Sequence, residues 1–305
     1  MQNSRMTRLG LGLFLVVAAS SVASAKDCDR ACLKSLITTY VDAMVAHKLD
    51  ALPLAENVRF TEDMKELKPG EGVWKDVTRT GGFRQDYLDV RKQIAAAHVE
   101  LYAGDRQVLY SVILHTRDRK IAGIETLAGS LPPNSRLKSD SLGKPLPVMS
   151  EAVPKGQRLG RKDMLNAALH YPEGLRIGNF TDAKTPFSKE AYRVENGAFI
   201  AGVGGPRPNA PGLFTQKIIL HPDVVPSVAA VDEEEGIVLL WMNFGDTNSY
   251  GPGNALITFE AFKVFGKEAH EIHAVNAFFR TFPKDLKRGW DSTDPVPAAA
   301  PWAAH

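Results

Sequence analysis

The chain repeats one order of elements twice, and this repeat constrains its fold more than any other feature. Each half begins with a helical pattern, passes a proline corner into a strand with an arginine, and closes with alternating strands. Pro53 precedes Arg59 in the first half, and Pro186 precedes Arg193 in the second. A helix followed by consecutive strands indicates the α+β class. The repeat predicts two tandem modules, each a curved antiparallel sheet wrapped over helices.

Composition changes place the domain boundaries. We predict a first module at residues 26–130 and a second at residues 161–290, separated by a linker at 131–160 that is rich in proline, serine and glycine. Residues 291–305 are expected to form a disordered tail. A strongly bent sheet over a helix leaves a cavity between them, which is a natural site for a small molecule.

Residues 1–25 have the pattern of a cleavable signal peptide. Arg5 and Arg8 come before the apolar run 9–19, and the small-residue motif Ala23-Ser24-Ala25 follows. The run is too short to span a bilayer, which needs roughly 20 apolar residues. We expect a secreted or periplasmic protein with no membrane contact after cleavage; an uncleaved anchor is the alternative.

Charge and cysteine content narrow the choice of partners. The formal net charge is +2, and with 44% hydrophobic and 24% charged residues the chain is globular. Because no basic stripe is present, the sequence excludes a typical nucleic-acid-binding surface. Cys28 and Cys32 lie four residues apart in a helical pattern, within reach of a disulfide. Two free buried thiols are the alternative.

Four segments carry a family resemblance: Cys28–Leu33, Leu54–Glu62, Val231–Gly236 and Ile272–Val275. They resemble segments of the nuclear-transport-factor-2-like, or SnoaL-like, superfamily, in a secreted group with two fused modules. The resemblance implies two conical α+β barrels, each with a pocket at its wide end. It also implies chemistry of the kind found in cofactor-free isomerases, dehydratases and lyases, although other members only bind or assemble.

The second module offers polar residues beside many aromatic ones. A carboxylate in an apolar pocket has a raised pKa and can act as a general base, and a tyrosine or histidine can polarise a carbonyl. The catalytic candidates are Tyr171, Asp182, Arg193, Glu195 and His273. The substrate-binding candidates are Gln216, Trp241 and Asn276.

The first module offers an alternative site. Its candidates are Tyr40, Arg59, Glu62, His98 and Glu125. For the two arginines we favour a structural role over a catalytic one. Arg59 would form an ion pair with Glu62, and Arg193 with Glu195. Glu125 stands at the closing-strand position where the second module has Asn276, which favours the first module.

Motifs for cofactors and metals are absent from the sequence. There is no G-x-S-x-G nucleophile motif and no phosphate-binding P-loop. His270 and His273 face opposite sides of a strand and cannot easily share a metal. We therefore expect a small-molecule ligand, no cofactor and no metal, with a homo-oligomer compatible with the sequence. The predicted function is a cofactor-independent lyase, isomerase or hydratase acting on an apolar or aromatic molecule; a non-catalytic binding or assembly module is the alternative.

Overall fold

Two six-stranded sheets organise the protein. The computed structural model describes residues 27–130, 145–203 and 209–296. The helices are α1 (Arg30–Val45), α2 (Pro147–Ser150) and α3 (Arg161–Ile177). The first sheet contains β1 (Leu54–Glu62), β2 (Lys65–Leu67), β3 (Arg79–Asp89), β4 (Ile94–Ala103), β5 (Arg106–Arg117) and β6 (Lys120–Gly129). The second contains β7 (Phe187–Glu195), β8 (Ala198–Gly202), β9 (Val225–Asp232), β10 (Ile237–Asn243), β11 (Asn254–Phe265) and β12 (Glu271–Pro283).

The two sheets have the same strand order. The first runs β2-β1-β6-β5-β4-β3 and the second β8-β7-β12-β11-β10-β9, so the predicted tandem sheet modules are present in a fold that is mostly β. The expectation of purely antiparallel sheets is wrong, because β1 pairs with β6, and β7 with β12, in parallel. After its second strand each module crosses to the far edge of the sheet and meanders back. The closing strand therefore arrives beside the first strand in the same direction.

A long helix covers one face of each sheet. The side chain of Asp29 caps α1 by accepting the N–H of Cys32, and Leu33, Ile37 and Met44 are completely buried against the first sheet. Helix α3 packs in the same way on the second sheet. It ends at Gly178, whose φ of 75° is left-handed backbone that favours glycine.

The other faces of the two sheets pack against each other. Ile94 and Ile113 of the first sheet join Leu239, Ile257 and Phe259 of the second in one buried cluster. Each sheet is therefore covered by a helix on one face and by the sister sheet on the other. Burial on both faces explains why β10 is an almost continuous apolar run.

Two aspartates join the modules reciprocally. Asp89, at the end of β3, accepts the N–H of Val231 and pairs with Arg161 at the start of α3. Asp232, at the end of β9, accepts the N–H of Leu88 and pairs with Arg30 at the start of α1. Each buried carboxylate thus pairs with the first-turn arginine of the other module. This reciprocity is the arrangement of a two-fold symmetric dimer within one chain.

The segment after β12 returns to the first module. Arg288 forms a bidentate ion pair with Glu125, and Trp290 stacks on His115 with 4.2 Å between ring centroids. Asp294 pairs with Arg161. Ser292 and Thr293, in the region where the tail is expected to begin, hydrogen-bond to the backbone of Val228. Residues 297–305 lie outside the described residues, and the disordered tail stays a prediction. We refer to residues 284–296 as the C-terminal strap.

The N-terminal disulfide and part of the linker are also described. Cys28 and Cys32 form a disulfide with 5.1 Å between their Cα atoms, as predicted. The linker contains the short helix α2, and its Met149 and Val153 side chains are buried. Residues 1–25, the predicted signal peptide, and linker residues 131–144 lie outside the described residues. The exact module boundaries stay predictions.

Candidate functional site

A pocket opens between α3 and the face of the second sheet that this helix covers. Its volume is about 350 Å³. The lining residues are Tyr171, Leu175, Arg193, Glu195, Lys217, Ile218, Ile219, His221, Phe244, Tyr250, Leu256, Glu260 and Phe279. One part of this wall is therefore ionisable and the rest is aliphatic and aromatic, a combination that is typical of small-molecule sites.

Arg193 is the centre of the polar part. Its Nη1 donates to the hydroxyl oxygen of Tyr171 at 3.2 Å, and its Nη2 donates to Oε1 of Gln216 at 2.8 Å. Its Nε lies 2.9 Å from Oε1 of Glu195, in an ion pair rather than an aligned hydrogen bond. The structure thus brings together four of the residues that the sequence suggested for this module. It also contains the Arg193–Glu195 ion pair that the structural interpretation required.

Glu260 is, with His221, the most buried of the pocket residues that were not among the sequence candidates. It lies on β11, is 2% exposed, and its Oε2 has no hydrogen-bond partner. Burial raises its pKa to about 8; the negative charge of Glu195 adds to this, and the positive charge of Arg193 opposes it. At neutral pH the Glu260 carboxyl is therefore mostly protonated.

The strand register explains why these groups converge. Glu195 and Glu260 both lie opposite Ala277 of β12, on the same face of the sheet. Two strand spacings place their Cα atoms about 10 Å apart, and the curvature of the sheet turns both side chains towards the pocket. Tyr171 reaches the same place from α3.

A second polar pair lines the pocket. Nε2 of His221 lies 3.3 Å from the hydroxyl oxygen of Tyr250, and Nδ1 of His221 is buried without a partner. Burial lowers the pKa of His221 to about 4, so this imidazole is neutral at physiological pH. Burial raises the pKa of Tyr250, and the charges of Glu195 and Glu260 add to the rise. The His221–Tyr250 pair is therefore near enough to Glu195 and Glu260 for their charges to act on Tyr250.

The first module has no such cluster at the equivalent positions. Arg193 faces Val275, whereas Phe60 faces the matching Ile124. The counterpart of Arg193 is thus Phe60, and the predicted match between Arg59 and Arg193 is wrong by one residue. By the same register Val112, opposite Thr126, is the counterpart of Glu260, opposite Ala277.

Bulky side chains occupy the interior of the first module instead. The hydroxyl oxygens of Tyr40 and Tyr110 are 3.1 Å apart, and Trp74 packs edge-on to Tyr40. Glu62, the counterpart of Glu195, accepts the N–H of Val73 at 3.0 Å. Burial raises the pKa of Glu62 to about 7, although that hydrogen bond opposes the rise. These contacts give Tyr40 and Glu62 structural partners.

The remaining candidates of the first module face the sister module. Arg59 donates to the carbonyl of Gly289 at 2.6 Å and pairs with Glu66, not with Glu62 as the sequence analysis supposed. Glu125 is held by Arg288. Nδ1 of His98 lies 3.0 Å from the Tyr87 hydroxyl oxygen, and the His98 ring stacks on Phe278, a residue of β12. None of these three lines the pocket of the second module.

Four candidates of the second module also lie elsewhere. Asp182 is exposed and accepts from Asn179 at 3.0 Å. His273 stacks on Phe265 with 3.5 Å between ring centroids. Trp241 belongs to the cluster between the sheets. Asn276 lies on the face of β12 that is turned towards the first sheet, beside the linker residue Met149. Alternation along the strand puts Asn276 on the face opposite to Val275 and the pocket.

The missed residues left a weak sequence signal. Glu260 is a charged residue between Phe259 and Ala261, in a strand whose only other charged residue is Lys263. A carboxyl at such a position stays exposed only if its strand lies at the edge of the sheet. Because β11 is central in its sheet, the carboxyl is buried. His221 and Tyr250 lie outside helices and strands, where no periodicity marks them.

Comparison with known proteins gives one family match. Residues 157–276 match a domain of unknown function, DUF8021. This segment contains the pocket-lining residues of the second module except Phe279. No curated protein matches the chain significantly.

Two solved structures resemble parts of the chain. One is a de novo designed protein with a curved β-sheet, at 17% identity and a TM-score of 0.29, covering 33% of this chain and 88% of its own. The other, from Kribbella flavida, is provisionally described as a ketosteroid isomerase. It is 18% identical with a TM-score of 0.26, and covers 35% of this chain and 85% of its own. At these scores the likenesses carry no argument about function.

Among the described residues, no helix combines the length and apolarity needed to cross a bilayer. Within the same ranges, no group of three or more His, Cys, Asp or Glu side chains is arranged to hold a metal ion.

Proposed function

We propose that the pocket of the second module binds a small, largely apolar molecule and acts on it without a cofactor, as a lyase, isomerase or hydratase. The observation that supports this most is Glu260, a buried carboxyl with an unpartnered oxygen in the pocket wall. A pKa of about 8 suits a group that must both give and accept a proton near neutral pH.

The neighbours of Glu260 supply the other half of such chemistry. Tyr171 accepts a hydrogen bond from Arg193, so its own hydroxyl proton is free to be donated to a ligand. Burial raises the pKa of Tyr171, which therefore keeps that proton at physiological pH. The O–H of Tyr171, polarised by Arg193, can stabilise negative charge that develops on a carbonyl or hydroxyl oxygen. Glu260 would move the proton on the adjacent carbon.

The second candidate is a non-catalytic role. The filled interior of the first module favours this role for that module. Phe60 and Val112 replace the charged residues of the second module, and Tyr40, Trp74 and Tyr110 occupy the space beside them. In this proposal the first module supports the second through the shared interface and performs no reaction itself.

We also propose that the protein is exported and that its signal peptide is cleaved after Ala25.

Proton exchange provides a test that does not require the natural substrate. Purified protein would be incubated in D₂O with a panel of aromatic and alicyclic ketones, and deuterium incorporation next to the carbonyl would be followed by NMR. We expect incorporation above the buffer rate for at least one ketone and its loss in Glu260→Gln. Glu62→Gln is the matched control, because it changes a buried carboxyl with a raised pKa in the first module. Equal exchange by all three proteins would remove Glu260 from the mechanism.

A further inference from the structure

The charges of the pocket wall do not cancel. Arg193 and Lys217 are positive, and Glu195 is negative. Glu260 is mostly protonated below pH 8, and His221 is neutral above pH 4. The pocket therefore carries one net positive charge at neutral pH, within a largely apolar wall.

The donors of Arg193 are also only partly used. Its guanidinium has five N–H groups, and its partners are the Tyr171 hydroxyl, the Gln216 amide and the Glu195 carboxylate. It is 7% exposed, so water does not replace the missing partners to any large extent. A buried guanidinium with spare donors favours a planar anion, which can accept two parallel N–H bonds.

We infer that the ligand of this pocket is a carboxylic acid with an apolar, ring-sized body, bound as the anion with its carboxylate at Arg193 and its body against Leu175, Phe244 and Leu256. This inference rests on the proposed function and names its substrate class. The protonated Glu260 donates to one carboxylate oxygen through Oε2, which has no partner in the protein. Lys217 attracts the anion at the exposed mouth.

The same geometry disfavours other classes of ligand. A cation would meet Arg193 in a buried site and lose its water without a free counter-charge, because Glu195 is already paired. A neutral alcohol would fill the apolar part but leave the spare N–H donors of Arg193 without an anionic acceptor. Nδ1 of His221, buried without a partner, offers a second contact for a hydroxyl or amide on the far side of the ring.

A pH dependence follows from the groups that face Glu260. These are Arg193 and Glu195 on β7, Tyr171 on α3, and the neutral His221–Tyr250 pair. When Glu260 ionises, it loses its donor proton and adds a negative charge beside the bound anion. Affinity for a carboxylate should then fall about tenfold for each pH unit above the pKa of Glu260.

Three naphthalene probes of one shape separate these classes: 2-naphthoate, 2-naphthalenemethanol and 2-naphthylmethylammonium. Isothermal titration calorimetry at pH 6.5 should show 2-naphthoate binding at least tenfold more tightly than the alcohol, and no binding of the ammonium ion. From pH 6.5 to pH 9.0 the affinity for 2-naphthoate should fall about tenfold in the wild type. In Glu260→Gln, where no ionisation occurs, it should stay constant, and Glu62→Gln should behave as the wild type does.

Each outcome decides between the inferences. If the alcohol binds as tightly as the carboxylate, the anion inference is wrong and the proposed function remains with a neutral substrate. If the carboxylate is preferred but Glu260→Gln keeps the wild-type fall with pH, Glu260 does not contact the anion and the inference fails. If no probe binds, the inference fails; if the ketone panel also shows no exchange, the proposed function fails with it.

Discussion

Replacing Glu260 with glutamine should remove a pH dependence of folding that this buried carboxyl imposes. In the unfolded chain the carboxyl titrates near 4.5, whereas in the folded protein burial and the charge of Glu195 raise its pKa to about 8. Between these values the folded state holds a proton that the unfolded state has released. The stabilising effect of this proton is complete below pH 4.5 and is lost as the pH rises through 8.

The pKa difference sets the magnitude. A difference of one pKa unit corresponds to about 1.4 kcal/mol, so raising the pH from 5 to 7 should cost the wild type about 2 to 3 kcal/mol through this group alone. Glutamine has no proton to lose, and its amide can occupy the same space. The difference in unfolding free energy between Glu260→Gln and the wild type should therefore grow by that amount, in favour of the variant.

Urea denaturation followed by far-UV circular dichroism at pH 5, 6 and 7 measures this difference directly. The absolute stability of the variant also reflects packing of the amide, so the diagnostic quantity is the change in the difference with pH. Glu62→Gln, whose pKa is raised to about 7, should show a smaller trend of the same sign. If the wild type and Glu260→Gln follow parallel curves, the carboxyl is ionised in the folded protein and the reasoning is wrong.

Three further predictions concern the strap, the module interface and the N-terminus. Burial alone would raise the pKa of Glu125, but the charge and hydrogen bonds of Arg288 hold it below its usual value. Glu125→Gln should therefore cost about 3 kcal/mol at pH 7 and progressively less as the pH falls below 4.5, by urea denaturation; a loss that does not change with pH would contradict the ion pair. Arg161→Gln leaves Asp89 buried without its charge partner and should lower the unfolding free energy by about 3 to 5 kcal/mol in calorimetry, whereas the exposed Arg106→Gln should change it by less than about 0.5 kcal/mol. Intact mass spectrometry of the exported protein should show a chain that begins after Ala25, and retention of residues 1–25 would remove the cleavable-signal prediction.

Several elements followed from local patterns in the chain. Helix α1 was expected from the apolar spacing that includes Leu33, Ile37 and Met44, and the Cys28–Cys32 disulfide from helix geometry. These features depend on residues close in sequence, where backbone geometry determines which side chains meet. The repeated order of elements likewise predicted the two sheets, because each element recurs at matching positions.

The facing of strand residues was decided by the tertiary structure alone. Alternation along a strand separates Arg59 from Phe60, and Asn276 from Val275, but it does not say which member faces the helix. In most sheets a polar, solvent-exposed face shows which residues point away from the core. Here both faces of each sheet are buried, one by a helix and one by the sister sheet, so this signal is missing. The chain therefore determined helices α1 and α3, its disulfide and its two-fold repeat through local periodicity. Only the packing of the two sheets decided that Glu260 lines the pocket beside α3 while Asn276 does not.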